Sequence, residues 1–504
     1  MKNNFLVKHK IQISEIALIL LVFCFAFGLR LWLLVNTDDF HGISNGGIIR
    51  AQLLLNNDLA KDELFEPVHP PLHILFLMVG IKVFDNPIIG SRLISLIFGS
   101  LFLLPFYYCI KFLFDQRTAV FSMLAAAVYS EHVVYSVIAT SEVCFHFFLF
   151  LSLFLLLSFF RRQSIKYLFI SALCLGLASL CRYEGLLFVP LFAFALKGQL
   201  RRCCMFMGTA LILPAIWMYV NFINSGDALR FINTNNLTVP LQFSWIRSQG
   251  IEMGFMEKIL FWPMSLVDTL GVFMYVSGIA GILYCLFKRK NIFIGMIFSF
   301  LFFVFIFKTV QESLYLQPRY GITLGLLLIP YSIFCISQVL ENLKKYKIII
   351  PSSLILLLIA SMIPPLGQRV LGAPLYAPLF AKKLAAYMHE NIKESDNIFF
   401  DHCGDEKYKA PIKVLSGLNP RQFVFMAYLK PKDGQFQADR EMFFQVLEKA
   451  GVSILIYSPG GDLRDILELG KGVKQRIVED FKFNLLDSIE PYYVYSVENL
   501  NDAK

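Results

Sequence analysis

The chain has 504 residues, 57% of them hydrophobic and 51 of them Phe, a composition that excludes an ordinary soluble globule and identifies a polytopic membrane protein. Its formal net charge of +9 is no nucleic-acid signal, because the basic residues sit in short clusters between apolar runs. Charge placed in that way reports orientation in a bilayer, and nucleic acid is excluded as a partner.

The first apolar run, Ile16 to Val35, is long enough to cross hydrocarbon as a helix. It follows Lys2, Lys8 and Lys10 and lacks a small-residue cleavage site, so it reads as a retained anchor. Further basic clusters lie at Lys111/Arg117, Arg161/Arg162/Lys166, Lys197/Arg201/Arg202, Lys288/Arg289/Lys290 and Lys344/Lys345/Lys347. The positive-inside tendency places all of them in the cytoplasm, so an even number of crossings separates each pair. Leu72 to Ile81 is too short to cross, and counting it would reverse every later loop; it reads as a re-entrant or interfacial helix. The stretch from Tyr167 to Leu196 has basic clusters at both ends and must cross twice. Two short helices therefore meet at Cys181-Arg182-Tyr183-Glu184, in a turn recessed below the outer surface.

These rules predict eleven spans: 14–35, 88–110, 118–138, 142–160, 166–180, 184–197, 203–223, 261–287, 291–308, 320–340 and 347–364. The N-terminus lies inside, and residues 36–87 and 224–260 form long outer loops. Composition changes after Pro364-Pro365, where charge becomes mixed and apolar runs shorten, so 1–364 is read as the membrane domain and 365–504 as a soluble outer domain. Strands are expected at Asn397–Asp401 and Val452–Ser458 and helices at Ala381–Ile392 and Arg440–Ala450, which makes that domain a small α/β unit. Its Gly460-Gly461-Asp462 turn lacks the Lys-Ser/Thr pair of a phosphate loop and any dinucleotide glycine pattern. The His-Glu-x-x-His and Cys-x-x-Cys spacings of built-in zinc sites are also absent.

Sorted by side, Asp38, Asp39, His69, Glu142, Arg182, Glu184, Arg319 and Tyr320 all fall at outer span ends or in outer loops. Arg30 and Arg92, near outer span ends, read as snorkelling side chains, and His73 and His146 as packing residues on apolar faces. Arg182 and Glu184 read equally as a local pair or as a cavity lining. A secondary transporter or lipid flippase is the competing class, but it calls for midplane charges and related halves, whereas these charges lie at one face.

The ordered pattern Arg30-Leu31-Trp32, Asp38-Asp39, His69-Pro70-Pro71-Leu72, Ser91-Arg92-Leu93, Tyr135-Ser136 with Ser141-Glu142, Leu180-Cys181-Arg182-Tyr183-Glu184-Gly185 and Arg319-Tyr320 resembles the GT-C fold glycosyltransferases that use polyprenyl-phosphate sugars. It is similar to their protein mannosyltransferase and aminoarabinose transferase branch. The resemblance implies an acidic catalytic role for Asp38 or Asp39, and lipid-phosphate contacts from His69 and Arg319. It implies a polyprenyl-phosphate sugar donor, surrounding membrane lipid, and a periplasmic acceptor that is a protein, lipid or glycan, at a bacterial inner membrane. No cofactor is required on this reading; a divalent metal near Asp38, Asp39 and Glu142 is possible in principle, and the metal-independent branch argues against it.

The chemistry is self-consistent, because phosphate is a good leaving group and the donor needs no further activation. A carboxylate that removes the acceptor proton and a cation that receives the departing phosphate complete an inverting single displacement. Arg319 suits the second task, with Glu142, Arg182, Glu184 and Tyr320 shaping the same substrate cavity.

Overall fold

A computed structural model describes residues 13–56, 70–248, 252–341, 349–372, 375–401, 406–424, 429–432, 435–471 and 473–501. The chain divides into two compact units: residues 1–36, 67–73 and 92–371 form the first, and 37–66, 74–91 and 372–504 the second.

Long apolar helices dominate. Among the described residues seven are long and apolar enough to cross a membrane, at 15–36, 87–113, 142–162, 200–225, 292–310, 318–338 and 352–371. The expected break in 167–196 is present: helices Ile165–Cys181 and Gly185–Phe194 are separated by a turn at Arg182–Glu184. Pro71–Phe84 has 14 helical residues, and at about 1.5 Å per residue it falls short of a hydrocarbon core about 30 Å thick.

Two expected spans are broken instead of continuous. The 261–287 segment is a pair of helices, Phe255–Leu270 and Val272–Lys288, bent by 118° at Gly271. Gly271 has φ +85°, and a Cβ there would stand 3.1 Å from the Ser361 carbonyl oxygen, so the corner requires glycine on both counts. The 118–138 segment stops at Tyr129, whose extended backbone separates Gln116–Val128 from the short helix Ser130–Tyr135. All six residues of that short helix are buried, which hydropathy cannot distinguish from burial in lipid.

The snorkelling expectation is overturned. Arg30 is fully buried and Arg92 is 3% exposed. Arg30 Nη1 donates to the carbonyls of Ala26 and Ala127, its Nη2 meets His132 Nδ1 at 3.2 Å, and Arg92 Nε donates to the Val137 carbonyl at 2.7 Å. The helix ends near Val128 and Tyr135 leave the Ala127 and Val137 carbonyls without intrahelical donors, and in a dry interior guanidinium groups supply them.

The second unit contains a five-stranded sheet. Its strands are β1 (Asn397–Phe400), β4 (Val452–Tyr457), β5 (Gln475–Val478), β6 (Phe481–Ile489) and β7 (Tyr492–Asn499); β2 (Leu429–Lys432) and β3 (Gln435–Ala438) pair separately. The order is β1-β4-β7-β6-β5, with β1 and β4 parallel and the other pairs antiparallel. Both expected strands and both expected helices are present, the helices as Leu379–Asn391 and Arg440–Lys449. Alternate residues feed two cores: Phe399, Leu455, Tyr457 and Tyr495 pack with Phe443 and Leu447, while Ile398, Phe400, Ile456 and Val494 pack with Leu384, Met388 and Phe40.

Asp401, just after β1, is 1% exposed and accepts the N–H groups of Ser458 and Leu463 at 3.2 and 3.3 Å. Burial dominates its chemistry and pushes the carboxyl up to about 7.

Candidate functional site

In the first unit, three helical elements begin at one place. Glu142 is the first residue of helix Glu142–Arg162, Glu184 immediately precedes Gly185–Phe194, and Arg319 lies in the 3-10 turn Pro318–Gly321 that enters Ile322–Glu341. A helix N-terminus carries partial positive charge, which favours acidic side chains. In two of the three the first N–H groups are already taken, those of Gly185, Leu186 and Leu187 by the Arg182, Tyr183 and Glu184 carbonyls at 3.0 Å, and that of Tyr320 by the Gln317 carbonyl at 3.1 Å.

The side chains form one connected group. Glu142 Oε1 accepts from Arg182 Nη1 at 2.7 Å and from Arg319 Nη1 at 3.3 Å. Arg182 also donates from Nε and Nη2 to Glu184 Oε1, at 3.2 and 2.5 Å. Both guanidinium carbons lie over the Tyr320 ring, 5.1 Å from its centroid for Arg182 and 5.2 Å for Arg319. Two cations and two carboxylates balance to zero, so the cluster tolerates burial. The balance is uneven in space, because Glu142 is deeply buried and Glu184 is part-exposed. Arg319 Nε has no partner among the described residues, which leaves the guanidinium a donor in reserve.

The turn that carries Arg182 is rigid. Gly185 brings the second helix so close to the first that a Cβ would stand 2.7 Å from the Ser179 backbone. Tyr183 stacks on Phe231 at 3.8 Å between centroids and accepts from Trp217 Nε1 at 2.9 Å. The Cys-Arg-Tyr-Glu-Gly segment is therefore a packed corner whose charged members face the cluster.

A cleft opens beside this group. Glu142, Arg182, Glu184, Arg319 and Tyr320 line its polar part, while Phe145, Leu187, Phe188, Leu301 and Phe305 line the rest. All five substrate-cavity residues expected from sequence at positions 142 to 320 thus line one cleft. Two further lining residues were read otherwise or missed: His146, taken as packing, and Thr323, which no motif marks. They form a second rung one helical turn below the charges, with His146 Nε2 and Thr323 Oγ1 3.0 Å apart. The i, i+4 spacings Glu142/His146 and Arg319/Thr323 were the available signal.

The acidic step belongs to the second unit. Asp38 has a part-exposed side chain, and its Oδ2 meets Lys382 Nζ at 2.8 Å and accepts the Ala377 N–H at 3.1 Å. Asp39 is 2% exposed and accepts from Ser44 Oγ, while its backbone carbonyl accepts from Asn45 Nδ2 at 2.8 Å. Of the pair, Asp38 has the more exposed side chain. His69 lies outside the described residues. No three His, Cys, Asp or Glu side chains converge as a metal site among the described residues.

Residues 68–220 match the dolichyl-phosphate-mannose-protein mannosyltransferase family, a stretch that contains Glu142, Arg182 and Glu184. Comparison with curated proteins gives no match. Among solved structures the chain is similar to ArnT from Cupriavidus metallidurans in the apo state, with 13% identity, a TM-score of 0.62, and coverage of 96% of this chain and 98% of that one. ArnT bound to undecaprenyl phosphate matches with 13% identity, a TM-score of 0.59 and coverage of 96% and 97%. The archaeal oligosaccharyltransferase AglB from Archaeoglobus fulgidus, in complex with an inhibitory peptide and a dolichol-phosphate, matches with 14% identity, a TM-score of 0.55 and coverage of 88% and 69%. The chain has their fold, the GT-C fold of multi-pass membrane proteins.

Proposed function

We propose that the protein is a membrane glycosyltransferase that moves a sugar from a polyprenyl-phosphate donor to a hydroxyl of a periplasmic protein, lipid or glycan. The observation that carries this reading is the cleft beside Glu142, Arg182 and Arg319, where two guanidinium groups suit a phosphate and an adjoining apolar wall suits the lipid chain. The matching structures support it, since ArnT binds undecaprenyl phosphate and AglB was solved with a dolichol-phosphate.

In the proposed reaction the acidic step supplies the base, with Asp38 favoured by its exposure. The carboxylate takes the proton of the acceptor hydroxyl as that oxygen bonds to the anomeric carbon. The bond from this carbon to the phosphate oxygen breaks, its electron pair leaves with the phosphate, and the anomeric centre inverts. Arg319 and Arg182 receive the growing charge, while Tyr320 holds both guanidinium planes. Phosphate from the donor competes with Glu142 for the same N–H groups, so Glu142 keeps the empty site neutral. His69 supplies a second phosphate contact by resemblance. No metal takes part in this scheme.

The orientation proposed is N-terminus in the cytoplasm and the 365–504 domain in the periplasm, at a bacterial inner membrane. A transporter reading would leave the donor chemically intact. Incubation of purified protein with a panel of polyprenyl-phosphate sugars, followed by mass spectrometry of acceptors and of released polyprenyl phosphate, tests the proposal. Passage of intact donor across vesicles without release of free phosphate lipid would replace it with the transporter reading.

A further inference from the structure

The segment that follows the first span is built into the sheet domain. Phe40, one residue after the acidic step, is 6% exposed in a core shared with Ala381, Leu384, Met388 and Tyr492. Its ring lies 5.7 Å from that of Tyr408. Helix Gly42–Leu55 starts at His41, whose ring accepts the Ser44 N–H, and Asn45 binds the carbonyls of both Asp39 and His41. At the far end of this helix, Arg421 donates to the Asn56 carbonyl. Asp38 itself receives the Ala377 N–H and the Lys382 ammonium on one oxygen, Oδ2.

We infer that the sheet domain positions the acidic step, with Phe40 as the anchor and Lys382 as the residue that orients Asp38. This rests on the proposed role of Asp38 as base. Both contacts fall on Oδ2, which aims the other oxygen of the carboxylate in one direction. A base must be held in a narrow range of geometry, and a loop after a membrane helix lacks that stiffness by itself. The core of the sheet domain supplies it. Lys382 touches no substrate in this scheme and acts through Asp38.

The test combines turnover with hydrogen exchange on full-length protein in detergent or nanodiscs. Lys382→Met should lower kcat about tenfold while leaving the dissociation constant for polyprenyl-phosphate sugar unchanged, and Lys382→Arg should restore most of the rate. Lys382 is half exposed, so the Met variant folds. Phe40→Ala should speed exchange across residues 37–56, and Phe40→Leu should speed it less. Wild-type kcat in Lys382→Met, or a loss that Lys382→Arg does not rescue, would overturn the orienting role. Unchanged exchange in Phe40→Ala would overturn the anchor. If wild-type protein transfers sugar from no polyprenyl-phosphate donor, the functional proposal falls, and the exchange result still decides whether the domain holds the segment.

Discussion

Replacing Arg319 tests the proposed leaving-group site most directly. Arg319 is 7% exposed, gives Glu142 one shared bond at 3.3 Å, and keeps Nε unpartnered. A phosphate that took two of its donors would gain charge-assisted hydrogen bonds of about 1.5–3 kcal/mol each. Arg182 remains in Arg319→Ala and recovers part of that sum, so the net loss of transition-state stabilisation is about 3 kcal/mol, or roughly a hundredfold in kcat/KM. In Arg319→Lys the charge stays and the planar fork is lost, which leaves a deficit of about tenfold. Arg319→Lys keeps the cluster neutral, whereas Arg319→Ala leaves Glu142 to Arg182 alone, at 2.7 Å, with one negative charge in excess, so a melting curve is recorded with the rates of each variant. Steady-state release of polyprenyl phosphate by purified protein measures the rates, and donor binding is read separately by calorimetry. Normal turnover in Arg319→Ala, or an equal loss in the Ala and Lys variants, would refute the reasoning.

Asp38→Asn should bind donor normally and lose most transfer, whereas Asp39→Asn should keep a larger residual rate; reversed results would exchange the roles. Transfer measured in excess chelator should match that in added magnesium, and a loss restored by a divalent ion would bring a metal into the mechanism. Gly271→Ala should lower thermal stability by about 1–3 kcal/mol, because Ala at φ +85° is strained and meets the Ser361 carbonyl; an unchanged melting curve would show that the corner relaxes freely. Asp401 has its carboxyl raised to about 7, so between about pH 4 and 7 the folded state holds a proton that the unfolded state has released, and stability from this group falls as pH rises through that window. The full effect is about 4 kcal/mol, of which roughly 3 kcal/mol falls between pH 5 and pH 8, and the difference in stability between those two pH values should be smaller by that amount in Asp401→Asn. The comparison with wild type removes the contribution of Lys413, whose burial lowers its pKa and acts with the opposite sign; an equal pH dependence in the two proteins would refute the reading.

Charge parity was strong enough to locate the break at Arg182–Glu184 and to keep Pro71–Phe84 from being taken as a full span. The same rule could not see the breaks at Tyr129 and Gly271, since no basic cluster lies at either break to mark it. The five cleft residues from Glu142 to Tyr320 were readable as charged or aromatic groups at outer helix ends. His146 and Thr323 were not, because a neutral polar residue on an apolar helix looks the same whether it faces a cleft or a neighbouring helix. Arg30 shows the reverse error: its position near a span end suggested lipid, yet it is fully buried and satisfies carbonyls inside the bundle.

The broken helices explain how a charged cleft persists in a chain so rich in Phe. A continuous helix buries its own N–H groups in the ladder and presents only side chains to its surroundings. Starting helices at Glu142, Gly185 and Ile322 in one place instead brings the partial positive charge of three helix ends to a single spot. Arg182 follows the C-terminus of Ile165–Cys181, where a cation is favoured, and Glu142 and Glu184 sit at N-termini, where anions are favoured. Glu142, Arg182 and Glu184 are thus each stabilised locally by a helix end, whereas Arg319, a cation at the N-terminal end of Ile322–Glu341, is held by Glu142. Substituting Glu142→Gln removes the one carboxylate that both arginines share, so it should tighten the binding of an anionic lipid while disordering the guanidinium pair that must track the leaving group. Donor affinity should rise and kcat fall together in that variant, a pairing that simple loss of structure would not produce.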